Sequence, residues 1–256
     1  MVIISGIREE YPYLYETHLH TVQGSACGRC TGAQMARACK EAGYTGIFVT
    51  DHNWGGNTAV DRKKPWDEWV AEFCTGYESA KAEGDKIGLD VFFGYEAGFH
   101  GTEFLIYGVD REWMLSHPAL RHADIEEQYQ LVHGSGGMVI HAHPYREEGY
   151  IPEVRLFPAW VDGVEGINAT HSNPQSTAHH DPGFDQKAIA YAGEHHLPLT
   201  AGSDIHASRL LGGGVAFRRR LASPGEYIDA ILSGEDYVLT DGAYWYSKKG
   251  KLLHDE

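Results

Sequence analysis

The 256-residue sequence predicts a mixed α/β fold, a closed TIM-like barrel, on three observations. Short apolar runs of strand character alternate with helical stretches along the chain. No glycine-rich dinucleotide fingerprint opens any of them. Histidines and carboxylates gather at the C-terminal ends of the strand-like runs. Alternation implies parallel pairing through right-handed crossovers, and in such a barrel the C-terminal strand ends converge on one mouth. Length and the absence of a linker, repeat or low-complexity tract predict one domain over 1–256.

The elements follow in order. Tyr11 to Thr21 has period-two alternation, with Leu14, Glu16, His18 and His20 on one side, so both histidines leave the same face. TGAQMARACKEAG reads as a helix, with Thr31 able to cap its start and Gly43 suited to the left-handed position after its last turn. GIFVTDH is a buried strand ending in Asp51 and His52. Pro65 opens one long helix, PWDEWVAEFCTGYESAKAEG, and LDVFFGYEAG is a strand that terminates at Glu96. FLIYG, GMVIHAHP, DGVEGIN, LPLTAGSDIH, GGVAF and DYVLTDG complete seven to nine strands, separated by helices at roughly 122–133, 182–196 and 223–233.

Composition narrows the function. Twenty-one basic against 36 acidic residues give a formal charge of −15, which repels polyanions and argues against a nucleic-acid polymer as partner. Sixteen histidines stand out, and imidazole is the commonest metal ligand. Cys27, Cys30, Cys39 and Cys74 form no disulfide framework, which predicts a reducing, cytoplasmic setting. Cys27-x-x-Cys30 has no second pair to close a zinc site and reads as incidental. The apolar run Val2 to Ile4 is too short for a leader or a membrane span.

The polar strand ends are His18/His20, Asp51/His52, Glu96, His141/His143, Asn168/His171 and Asp204/His206. Imidazoles at i and i+2 on a strand project in parallel and can bind one cation. Asp204-x-His206 repeats that spacing with an oxygen ligand, a mixture that suits zinc, manganese or iron. Glu96 follows an apolar run, where a carboxylate is costly unless a cation satisfies it, and bridging two cations does so. Two or three divalent cations about 3.5–4 Å apart activate a shared water as hydroxide and clamp a phosphoryl centre. The expected chemistry is therefore hydrolysis at phosphorus of a small phosphorylated substrate, with Glu96 and Asp204 as catalytic carboxylates. Arg146 would supply a bidentate phosphate clamp, with Arg29 as a rival. His171, beside Asn168, would protonate the leaving oxygen or complete a metal shell. The other histidines, His254 among them, read as surface residues.

HLH, TDH, GYEAG, HAHP and GSDIH resemble, in this order, the motifs of the polymerase and histidinol phosphatase (PHP) family, over about residues 16–206. The resemblance implies a distorted seven-stranded barrel and a trinuclear site that hydrolyses phosphomonoesters or phosphodiesters. It implies that His18, His20, Glu96 and Asp204 hold one cation, Glu96 and His143 a second, and His52 and His206 a third. Two positions depart from the pattern. Ser25 or Ala26 stands where the family often has His or Asp, and Phe104 aligns with a family histidine, leaving His100, His141 or a water to complete the second shell. The alternatives are a histidinol-phosphate phosphatase, an amidohydrolase-type C–N hydrolase or a non-catalytic metal-binding module.

Overall fold

The computed structural model describes residues 5–253; the run Val2 to Ile4 and His254 lie outside them. In chain order the elements are α1 Ser5–Glu10, β1 Tyr13–Glu16, α2 Gly32–Glu41, β2 Gly46–Val49, α3 Trp66–Phe73, α4 Thr75–Ile87, β3 Asp90–Phe99 and β4 Thr102–Tyr107. There follow α5 Arg111–Ser116, a 3-10 turn Pro118–His122, α6 Ile125–Gly134, β5 Met138–Ala142, β6 Gly163–Asn168, α7 Ala169–Ser172, α8 Pro182–Glu194 and β7 Leu199–Gly202. The last are β8 Gly213–Phe217, α9 Pro224–Leu232, β9 Tyr237–Asp241 and β10 Trp245–Ser247. Among the described residues no helix is long and apolar enough to cross a membrane.

Local chemistry sets the helix ends. Thr31 caps α2 in a reciprocal box with Gln34, and Gly43 takes φ +87° after it. The single helix expected from Pro65 is two, α3 and α4, meeting at Cys74. The Thr75 hydroxyl donates to the Glu72 carbonyl at 2.6 Å, a back-bond that bends helices.

Strands β1 to β7 lie side by side in sequence order in one curled sheet. The curl closes at its upper rim, where Leu19 pairs with Ile205 in parallel: His20 N donates to Ile205 O at 2.9 Å and Ile205 N to His18 O at 3.2 Å. Pairing is not parallel throughout. β4 runs antiparallel to β3 and β5, because the chain reverses at His100 and Gly101, both left-handed at φ +52° and +86°, and a two-residue turn of this kind makes a hairpin, not a crossover. GGVAF and DYVLTDG also correct the expectation. As β8 and β9 they run antiparallel, β8 pairing with the lower part of β1, and β10 extends the same flap.

The barrel interior holds Tyr15, Phe48, Leu105, Tyr107, Ile140 and Val215, with Tyr227 from α9 packed against Phe48 and Tyr107. Outside it, α2 and α4 cover β1 to β3 through Met35, Cys39, Ile47 and Val91. Trp69, Phe73, Phe104, Ile106 and Val132 fill a third layer beneath α3 and α6. The apolar filling leaves the upper mouth to polar side chains.

Candidate metal centre

Glu96, fully buried on β3, is the hub of the mouth. His18 Nε2 and His143 Nε2 lie 3.3 and 3.1 Å from its Oε1, and His20 Nε2 and His52 Nδ1 lie 3.4 and 2.8 Å from its Oε2. Asp204 joins from the segment after β7, with Oδ1 3.4 Å from His18 Nε2 and 3.2 Å from His20 Nε2. The His206 ring stacks on His20 at 4.4 Å. All seven residues expected to bind metal therefore meet in one cluster, from the ends of β1, β2, β3, β5 and β7. Their donor atoms form overlapping groups of three: His20, His52 and His206; His18, His20 and Glu96; His18, His143 and Asp204.

A fourth group, His52, Glu96 and Glu103, adds a carboxylate absent from the sequence expectation. Glu103 sits 3.6 Å from His52 Nδ1 and 3.7 Å from His143 Nε2. Burial, and then the charge of Glu96, push its carboxyl up to about 8. Glu103 is not at a strand C-terminus: β4 is antiparallel, so its N-terminal end lies at the mouth. Phe104, one residue on, points out of the barrel and stacks on His141 at 5.0 Å. Neither it nor His141 enters the site, and His100 is an exposed turn residue.

Hydrogen bonding fixes which imidazole nitrogens face the centre. His18 Nδ1 pairs with Glu165 Oε1 at 2.9 Å, the carboxylate–histidine arrangement that leaves Nε2 for a metal. Ser25 Oγ donates to Asp51 Oδ1 at 2.7 Å and accepts the His52 amide at 3.0 Å, so at 3.0 Å from His20 Nδ1 it accepts that proton too. Ser25 thus orients His20 rather than replacing a ligand, and Asp51 anchors Ser25 and Thr21.

The donor set fits cations. His18 Nε2 and His20 Nε2 are buried with no hydrogen-bond partner, a cost that native interiors rarely leave unmet. Burial disfavours charge on His18, yet Glu165, Asp204 and Glu96 hold its pKa well above the usual value. Burial likewise opposes ionisation of Glu96 and Asp204, yet His18 and His52 on one side, and His18 and Arg146 on the other, hold both well below the carboxylate range. His143 and Asp204 also carry left-handed backbone, φ +27° and +52°, strain that clusters at functional sites.

The other expected contacts divide. Arg146, 3% exposed, reaches Asp204 Oδ2 with Nη1 at 2.7 Å and lines a cavity of about 540 Å³ over the cluster, with Cys27, Gly56, Tyr150 and His179. His171 is buried with Nδ1 on Asp185 Oδ1 at 2.7 Å, and its Nε2 accepts from Arg146 Nε at 2.9 Å. Both nitrogens are taken, so it is not placed to protonate a leaving group. Asn168 binds Glu165 and Thr170 beneath the cavity floor, and Arg29 is exposed outside the cavity. Cys27, read as incidental, lines the wall; burial raises its thiol, but hydrogen bonds with His206 and His52 bring it down to about 7.

Comparison with known proteins agrees with this architecture. Residues 183–235 match the PHP-associated family model. An uncharacterized protein of Methanocaldococcus jannaschii is 27% identical over 139 residues, 54% of this chain and 66% of the relative. A two-domain protein of Bacteroides vulgatus, containing a predicted PHP-like metal-dependent phosphoesterase, superposes with TM-score 0.63 at 14% identity, over 89% of this chain and 64% of its own. The chain thus spans just under two thirds of each of these two. An amidohydrolase of Chromobacterium violaceum superposes with TM-score 0.51 at 16% identity, over 75% of this chain and 87% of its own. The PHP-associated match is confined to residues 183–235, and the superpositions show a fold that the chain shares with these proteins.

Proposed function

We propose that the chain is a metal-dependent phosphoesterase that hydrolyses a small-molecule phosphate mono- or diester. One observation carries the reading: four imidazoles converge on Glu96 beneath a cavity whose wall bears the Arg146 guanidinium. His18, His20, His52, Glu96, Glu103, His143, Asp204 and His206 would hold two or three divalent cations of the manganese, iron or zinc type. Bound there, such cations activate water and polarise a phosphoryl group.

The chain's own residues do the rest. Glu165 and Ser25 hold His18 and His20 in the tautomers that present Nε2. Glu96 offers one oxygen to His18 and His143 and the other to His20 and His52, the disposition of a bridging carboxylate. With bound cations displacing the ligand protons, the three carboxylates Glu96, Glu103 and Asp204 and the one guanidinium of Arg146 together would carry two negative charges. Two divalent cations reverse that to two positive, which balances a phosphate dianion. Arg146 favours an anionic ester over the neutral amide of an amidohydrolase, because a guanidinium at the cavity wall gains a charge-assisted hydrogen bond from a phosphate oxygen and only a weaker one from a neutral carbonyl.

The test is a panel of sugar phosphates, nucleotide monophosphates, cyclic phosphates and histidinol phosphate, assayed for phosphate release with manganese, iron or zinc. Asp204→Asn should lose at least about a hundredfold in rate, on the scale of removing a group aimed at the transition state. Amide hydrolysis without phosphate release from any ester would overturn the reading.

A further inference from the structure

Nothing in the phosphoesterase reading gives work to Asp185, a carboxylate buried on α8. Its Oδ1 lies 2.7 Å from His171 Nδ1; its Oδ2 accepts the Asn168 amide at 3.0 Å and the Ser172 hydroxyl. His171 Nε2 lies 2.9 Å from Arg146 Nε. A guanidinium only donates, so Nε2 carries the lone pair and the imidazole proton sits on Nδ1, where Asp185 receives it. The chain Asp185–His171–Arg146 therefore has one consistent set of protons. It links the Asp185 carboxyl, which burial pushes well above the usual carboxylate range, to a buried cation through a neutral ring.

Arg146 has five N–H groups. Nε serves His171, one Nη1 proton serves Asp204 at 2.7 Å, and one Nη2 proton serves Thr170 Oγ1 at 3.3 Å. Two N–H groups remain, with the Tyr150 hydroxyl as their neighbour, on a residue that lines the cavity. Asp204 is also drawn toward the metal cluster, so it is not a dedicated anchor. The Asp185–His171 pair, with the longer Thr170 contact beside it, holds the guanidinium whatever Asp204 does.

We propose that Asp185 and His171 are positioning residues that lock the Arg146 guanidinium at the cavity wall, with its two remaining N–H groups set to grip a phosphate oxygen. The proposal rests on the phosphoester reading and deepens it. An arginine fixed before substrate arrives loses little rotamer freedom on binding, and donors held in place act at no reorganisation cost.

A double-mutant cycle read by inorganic phosphate binding to the manganese-loaded protein tests this. Arg146→Ala should weaken phosphate roughly tenfold to a hundredfold, the range for a hydrogen bond to a charged group. His171→Ala should lose most of that in the wild-type background and nothing further in the Arg146→Ala background. His171→Gln, whose amide oxygen can accept from Nε, should recover affinity. If His171→Ala does not fold, Asp185→Asn takes its place in the same cycle. Equal fold-losses in both backgrounds would overturn the positioning role while leaving the phosphoester reading intact. Failure of the metal-loaded wild type to bind phosphate would bring down both.

Discussion

Replacing Gly98 by alanine tests whether β3 and the loop after β2 must stay in contact for the metal cluster to form. Gly98 lies two residues beyond Glu96 and packs on Gly55 and Gly56, in the loop that carries His52. A Cβ on Gly98 would meet Gly56 Cα at 2.6 Å, Gly56 N at 2.7 Å and the Gly55 carbonyl carbon at 2.9 Å. Ordinary contact begins at 3.4 Å, so a deficit of about 0.8 Å falls on backbone alone. That loop is tied to the strand: Asn53 N donates to Glu96 O at 2.8 Å and Gly98 N to Asn53 Oδ1 at 3.1 Å. Displacing it therefore moves His52, next to Asn53. Metal–ligand distances tolerate only about 0.2 Å. Overpacking of this kind costs about 1–3 kcal/mol, which at roughly 2–4 °C per kcal/mol for a chain of this size lowers Tm by roughly 2–12 °C. Affinity for the cation nearest His52 should fall by about tenfold or more. Scanning calorimetry of the metal-free protein and metal titration of both forms read the two effects separately. Wild-type melting with unchanged metal affinity would refute the reasoning.

Neighbouring residues on β4 should behave oppositely. Glu103→Gln removes a carboxylate between His52 and His143, and should weaken divalent-cation binding by about 10–100-fold, measured by calorimetric titration of chelator-stripped protein; unchanged affinity would take Glu103 out of the site. Phe104→Ala should cost about 3–5 kcal/mol in denaturant unfolding with metal stoichiometry unchanged, and loss of a metal equivalent from the folded variant would contradict the outward orientation of that side chain.

The same pair shows how much could be read from the sequence. Period-two alternation put His18 and His20 on one face, and apolar runs ending in Asp51, Glu96, His143 and Asp204 marked a common mouth, because both signals are local. Glu103 escaped because its place depends on strand direction, and direction was set by two left-handed residues, His100 and Gly101, in a turn too short for a helix. No period encodes that. Asp185 escaped for a related reason. Its burial on α8 and its contact with His171 come from helix packing on β6, and a lone aspartate in a helix carries no sign of its partner across the fold.

Backbone conformation is the other layer that pattern cannot show. His143 and Asp204 lead out of β5 and β7 at positive φ, where a non-glycine residue costs of order 1–3 kcal/mol. Glycine would remove that cost at either position and would also remove the ligand. The side chains therefore hold the conformation for what they contact. His143 faces Glu96 and Glu103, and Asp204 faces His18, His20 and Arg146. Both strained residues touch the cluster on the side where Arg146 stands, so the fold gives up stability at the place where the proposed cations and Arg146 would meet.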